Sequence, residues 1–96
     1  MYLGLDVGTS SLKAALFDDR QRLVGQASAP LEVSRPHPGW SEQDPAAWWA
    51  AVETTVDRLA AEHGLAGLRG IGLSGQMHGA VLLDVDDRGL RPAILW

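Results

Sequence analysis

Apolar and polar positions alternate along the first third of the chain, and the period lengthens to a helical one after residue 44. From Tyr2 to Val7, Leu3, Leu5 and Val7 share one side of an extended chain while Tyr2, Gly4 and Asp6 share the other, which predicts a buried strand. Gly8-Thr9-Ser10-Ser11 is turn material, and Leu12 to Phe17 reads as a second strand. A second turn, Asp18-Asp19-Arg20-Gln21, leads into a third strand from Leu23 to Ala29, which Gly25 weakens. Neither gap holds a helix, so the three strands form an antiparallel meander.

Pro30 to Gly39 reads as loop, because Pro36 and Pro38 bias the residues before them away from helix. Asp44 is then a good N-cap and Pro45 a good first helical residue. Trp48, Trp49, Val52, Val56, Leu59, Ala60 and His63 recur at three- and four-residue spacing, and Gly64 sits where a helix ends. This predicts a helix over Pro45–His63 with that stripe packed on the sheet. His63 is placed as a helix-end residue favourable to the dipole. Leu68–Ser74 and Ala80–Val85 read as further strands. Asp86-Asp87-Arg88-Gly89 reads as a turn, and Leu90–Trp96 as an extended segment on a sheet edge. The resulting order is β-β-β-α-β-β.

Composition narrows the function classes. The chain has 96 residues with eight Lys and Arg against twelve Asp and Glu, a formal charge of −4. That length allows one small domain. A single lysine and an acidic balance argue against a nucleic-acid surface. With no cysteine, disulfides and thiol chemistry are excluded. Short apolar runs give no membrane span, and no charged-then-apolar leader opens the chain, so the expected setting is cytoplasmic. The apolar ending Ala93-Ile94-Leu95-Trp96 reads as a truncation.

Two stretches carry candidate chemistry. In Asp6-Val7-Gly8-Thr9-Ser10-Ser11 a carboxylate at a strand end is followed by a turn whose successive N–H groups form an anion-binding concavity. Thr9, Ser10 and Ser11 add hydroxyl donors and Lys13 a positive charge; Asp6 suits a hydrated Mg²⁺. A plain hairpin turn capped by Asp6 has the same local pattern. In Gly75-Gln76-Met77-His78-Gly79 an amide and an imidazole, flanked by glycines, suit a polyhydroxylated ligand; an ordinary turn with an incidental His fits equally well. The run from Arg35 to Asp44 reads either as a substrate-covering loop or as a rigid connection anchored by Trp40. Gly70-Ile71-Gly72-Leu73-Ser74-Gly75 matches the dinucleotide fingerprint by letter, but its glycines fall within a strand and no helix follows, so that reading is rejected.

Asp6-Val7-Gly8-Thr9-Ser10 resembles the first phosphate motif of the sugar kinase, heat-shock and actin superfamily. The element order resembles its ribonuclease-H-like (actin-like ATPase) α/β fold, with a mixed sheet. Within it, the run Ser34-Arg35-Pro36-His37-Pro38-Gly39-Trp40-Ser41-Glu42-Gln43-Asp44-Pro45 with Trp48-Trp49 is similar to the FGGY family of carbohydrate kinases. So are Gly75-Gln76-Met77-His78-Gly79 and Leu90-Arg91-Pro92-Ala93-Ile94-Leu95-Trp96. All three point to the branch that acts on D-xylulose. The resemblance implies ATP-dependent phosphorylation of D-xylulose with Mg²⁺, and it is compatible with a homodimer. Asp6 would be the catalytic carboxylate positioning Mg²⁺–ATP. Gly8, Thr9, Ser10, Ser11 and Lys13 would approach the phosphates. Gln76, Met77 and His78 would meet the sugar. Other branches phosphorylate ribulose, gluconate or glycerol, and a non-catalytic sugar- or nucleotide-binding remnant is the alternative outside enzymes. The resemblance also implies that residues 1–96 are the N-terminal portion of the first of two domains. The general-base Asp and most of the adenosine site would lie outside them.

Overall fold

The computed structural model describes residues 1–96. The meander forms as the alternation predicts: β1 (Tyr2–Val7), β2 (Ser11–Phe17) and β3 (Leu23–Pro30) pair antiparallel. Helix α1 (Pro45–His63) then crosses back so that β5 (Gly70–Gly75) pairs parallel with β1, giving the sheet order β3-β2-β1-β5. A second, two-stranded sheet joins β4 (Glu42–Gln43) to β6 (Ala93–Ile94). Asp44 caps α1 by accepting from the Ala46 N–H at 3.0 Å, and Gly64 ends it with a φ of 71° that a side chain would strain.

One face of the sheet is buried under the helix. Leu3, Leu5, Ala14, Leu16 and Ala27 pack on Leu59, and Leu12 and Ala29 pack on Ala51. Each fully covered leucine contributes about 1.5–3 kcal/mol relative to exposure. The helical stripe differs in part from the sequence expectation. Val52, Val56 and Leu59 face the core, but the buried helical residues are Ala51, Thr55 and Leu59, while Trp49 is 65% exposed and Ala60 is exposed. The reason is angular: the buried line runs through Ala51, Thr55 and Leu59, and at about 100° per residue Trp49 sits roughly 120° round the helix from Thr55. Thr55 is tolerated because its hydroxyl donates back to the Ala51 carbonyl at 2.9 Å. Gly25 has a comparable role, since a Cβ there would lie 2.3 Å from Nε2 of His63. The glycine that weakens β3 therefore lets the end of α1 settle on it.

Three expectations for the last quarter change. Ala80–Val85 is not a strand; Ala80 and Leu83 make only single bridges, to Ile94 and Gly89. The turn starts earlier, because the Asp84 side chain accepts from the N–H groups of Asp86 and Arg88 at 2.8 and 2.9 Å. The same device closes the β2–β3 turn, where Asp18 accepts from Arg20 and Arg22, and the residue three beyond each aspartate takes a left-handed φ (Gln21 62°, Asp87 61°). The Arg22 backbone N–H, outweighing desolvation and joined by the Arg20 N–H and the Arg22 side chain, holds the Asp18 carboxyl below the ordinary aspartate range. Leu90–Trp96 shortens to β6 and pairs with Glu42–Gln43 in the Arg35–Asp44 run, an arrangement reinforced by an Arg91–Glu42 ion pair. The edges of the main sheet are β3 and β5, not Leu90–Trp96.

Candidate active site

The strand pairing decides where the polar residues gather. Because β1 and β5 run parallel, their C-terminal ends lie at the same border of the sheet, where open α/β sheets bind ligands. The Gly8 turn and the Gln76 loop are therefore neighbours, tied by the Gln76 N–H donating to the Val7 carbonyl at 3.0 Å.

Gly8 closes the turn by donating its N–H to the Ser11 carbonyl at 3.1 Å. A Cβ on residue 8 would lie 2.8 Å from that oxygen, which belongs to the backbone and has little room to move. Gly8→Ala is expected to open the turn. Hydrogen exchange should show faster exchange of the residue 8 amide, with β1 and β2 protection retained. Ser10 is held from the other side, its carbonyl accepting from the Leu31 N–H at 2.8 Å.

Asp6 points away from α1. On that face it lies opposite Lys13 on β2 and Ser74 on β5, and the Ser74 hydroxyl donates to its Oδ1 at 3.2 Å. These three side chains border a groove of about 360 Å³ whose floor includes Gly4 and Gly72, so backbone is bare there. Asp6 is exposed and its Oδ2 is free, which fits a hydrated Mg²⁺ held by one carboxylate, water and phosphate oxygens. Nowhere in the chain, this groove included, do three or more His, Asp or Glu side chains gather as metal ligands.

The two sequence stretches are joined by side chains. The Thr9 hydroxyl donates to Oε1 of Gln76 at 2.9 Å, and Nε2 of Gln76 donates to Oε1 of Gln43 at 3.0 Å. That same oxygen accepts from Nε1 of Trp48 at 2.9 Å, and Nε2 of Gln43 returns to the Thr9 carbonyl at 2.6 Å. The hydroxyl proton of Thr9 is thus committed inward and the Gly8 N–H is spent on Ser11, which leaves the Ser10 and Ser11 hydroxyls and the turn N–H groups after Gly8 as the donors facing an anion. Gln43 and Trp48 lie in the run that carries the resemblance, but neither was given a role in the site from sequence. The only local signal was a glutamine just before a helix cap.

Met77 is exposed, and His78 takes a left-handed φ of 61° with its ring edge-on to Trp96, centroids 6.1 Å apart. A bulky residue held in that region is a strained position of the kind that gathers at ligand sites. Between this loop and the Arg35–Asp44 run lies a cavity of about 170 Å³ lined by Thr9, Arg35, Ser41, Gln76 and Trp96. Trp40 is half exposed, and its anchor is the edge of His37 at 4.6 Å rather than the core.

A mixed sheet of this order, one covering helix and a Gly-Thr-Ser turn after the first strand define the N-terminal subdomain of the actin-like ATPase fold as sugar kinases build it. A glycerol kinase from Plasmodium falciparum, crystallised with ADP, superposes on the whole chain with a TM-score of 0.80 at 22% identity, a likeness of fold. The profile of the FGGY family of carbohydrate kinases, N-terminal domain, matches residues 1–96, and the chain belongs to that family. Xylulose kinase from Klebsiella pneumoniae is 51% identical over 96 residues, covering 100% of this chain and 20% of that protein. The crystal structure of a xyloylose kinase from Brucella ovis matches 99% of this chain and 20% of its own at 61% identity and a TM-score of 0.97. The chain therefore spans about a fifth of the length of these relatives.

Proposed function

We propose that these residues form part of an ATP-dependent kinase that transfers a phosphoryl group to D-xylulose, giving D-xylulose 5-phosphate. In that reading residues 1–96 are the N-terminal portion of its first domain. The observation that carries it is the Thr9–Gln76 hydrogen bond, which seats an anion-binding turn against a loop suited to a polyol. The relatives' names supply the choice of ketopentose.

Phosphoryl transfer asks a protein mainly for positioning and charge stabilisation. The turn N–H groups and the Ser10 and Ser11 hydroxyls would hold phosphate oxygens, and Lys13 would offset negative charge from the neighbouring strand. Asp6 would hold Mg²⁺ through water; when bound, the ion neutralises phosphate charge. Met77 and His78 would orient the sugar from the adjoining loop. The base for the sugar hydroxyl would come from outside residues 1–96. A coupled ADP-release assay on the whole protein, with D-xylulose, ribulose, gluconate and glycerol in parallel, tests the reading. Preference for D-xylulose supports it. Preference for another substrate moves the protein to another FGGY branch, and ligand binding without ADP release makes it a binding module.

His78→Ala is expected to weaken D-xylulose binding about 2–10-fold, the worth of one hydrogen bond, and more if a partner is left unpaired. Nucleotide binding should hold. Calorimetric titration with each ligand decides; lost nucleotide affinity with intact sugar affinity would place the loop wrongly.

A further inference from the structure

We infer that Gln43 is the positioning residue that makes the turn after β1 and the loop after β5 one mechanical unit. The role rests on the kinase reading above and goes beyond it. Gln43 is 3% exposed, and every polar atom of its side chain has a partner. Its orientation is fixed twice over. An indole N–H only donates, so the oxygen must face Trp48; the Thr9 carbonyl only accepts, so the nitrogen must face Thr9. With Gln43 locked, Gln76 must present its nitrogen to Gln43 and its oxygen to the Thr9 hydroxyl. Thr9, Gln76 and Gln43 close a ring through three side chains and the Thr9 backbone carbonyl, and its donor directions follow from Trp48 on α1.

The ring has no slack, because each amide satisfies both neighbours in one orientation only. A ligand that seats the turn also seats Gln76, the first residue of the loop that carries Met77 and His78. Because the two segments move together, a ligand that holds the turn in its bound position also holds the loop in its own, and two ligands that favour the same position bind cooperatively. Nucleotide and sugar should strengthen each other through Gln43 by a factor within the usual 5–150-fold range, roughly.

The test is calorimetric titration of the whole protein with D-xylulose, with and without a non-hydrolysable ATP analogue. The wild-type ratio of sugar affinities measures the coupling. Gln43→Ala should bring the ratio close to one while each ligand still binds. Gln43→Glu should behave like it, since a second oxygen cannot donate to the Thr9 carbonyl. Trp48→Phe keeps the ring but not its N–H; it should reduce the ratio only in part, and it carries the test if the Gln43 variants do not fold. A general loss of stability lowers the unfolding temperature without changing a ratio. Unchanged ratios in the variants, or a wild-type ratio of one, overturn the role of Gln43 and leave the kinase reading standing. A wild-type protein that binds no sugar overturns both.

Discussion

Asp6→Ala in the whole protein is expected to lower kcat by about 10²–10³-fold, with the KM for D-xylulose little changed. Asp6 lies one residue before the end of the inner strand β1 on the open face, one oxygen held by the Ser74 hydroxyl at 3.2 Å and the other free. A carboxylate so placed faces the groove shared with Lys13 rather than the loop of Met77 and His78. Its charge would matter most as the phosphoryl group moves, so the loss should fall on kcat. Asp6→Asn keeps the shape and the Ser74 contact and should be nearly as damaging, which separates charge from packing. Steady-state kinetics with both substrates varied, repeated over a range of Mg²⁺ concentrations, check the claim. Both variants should also need more Mg²⁺ for half-maximal rate. An unchanged kcat would remove Asp6 from the phosphate site.

The parts of the molecule legible in the sequence are those decided locally. The limits of β1 and α1 follow from an alternation of two and a period of three to four, bracketed by Gly8, Asp44-Pro45 and Gly64. The exposure of Trp49 was not legible, because Trp49 fits a stripe by spacing but lies off the line of Ala51, Thr55 and Leu59 that meets the sheet. The last quarter failed for the opposite reason. Ala80–Val85 has strand composition, yet Asp84 captures two amides and Ala93 finds its partner fifty residues upstream at Gln43. The site divides in the same way. The Gly8 turn and the Gln76 loop each stood out as a run of suitable residues, and the parallel pairing of β1 and β5 brings them side by side. Gln43 is invisible because its partners Thr9, Trp48 and Gln76 are dispersed along the chain, and no spacing rule connects them.

Residues 1–96 expressed by themselves are expected to lose turnover almost entirely, at least about 10²-fold below the whole protein, and to self-associate. The first effect is chemical. Asp6 is the one carboxylate beside the turn, and holding Mg²⁺ would leave no second carboxylate in place to take the proton from a sugar hydroxyl; general-base catalysis contributes about 10²–10⁴-fold. The second effect follows from the sheet. β5 pairs only with β1, so its other edge presents free backbone N–H and C=O groups. On the face that α1 covers over β2 and β3, β5 leaves Ile71 58% and Leu73 78% exposed. Only 12 of the 96 residues are buried, so little core opposes rearrangement at this edge. Sedimentation should show association that rises with concentration. Leu73→Lys should suppress it by putting a charge on the uncovered edge, without restoring activity. Turnover within about tenfold of the whole protein would show that the reacting groups all lie within these residues, since losing a general base costs more than that. A monomer at high concentration would show that β5 is capped by a contact other than strand pairing.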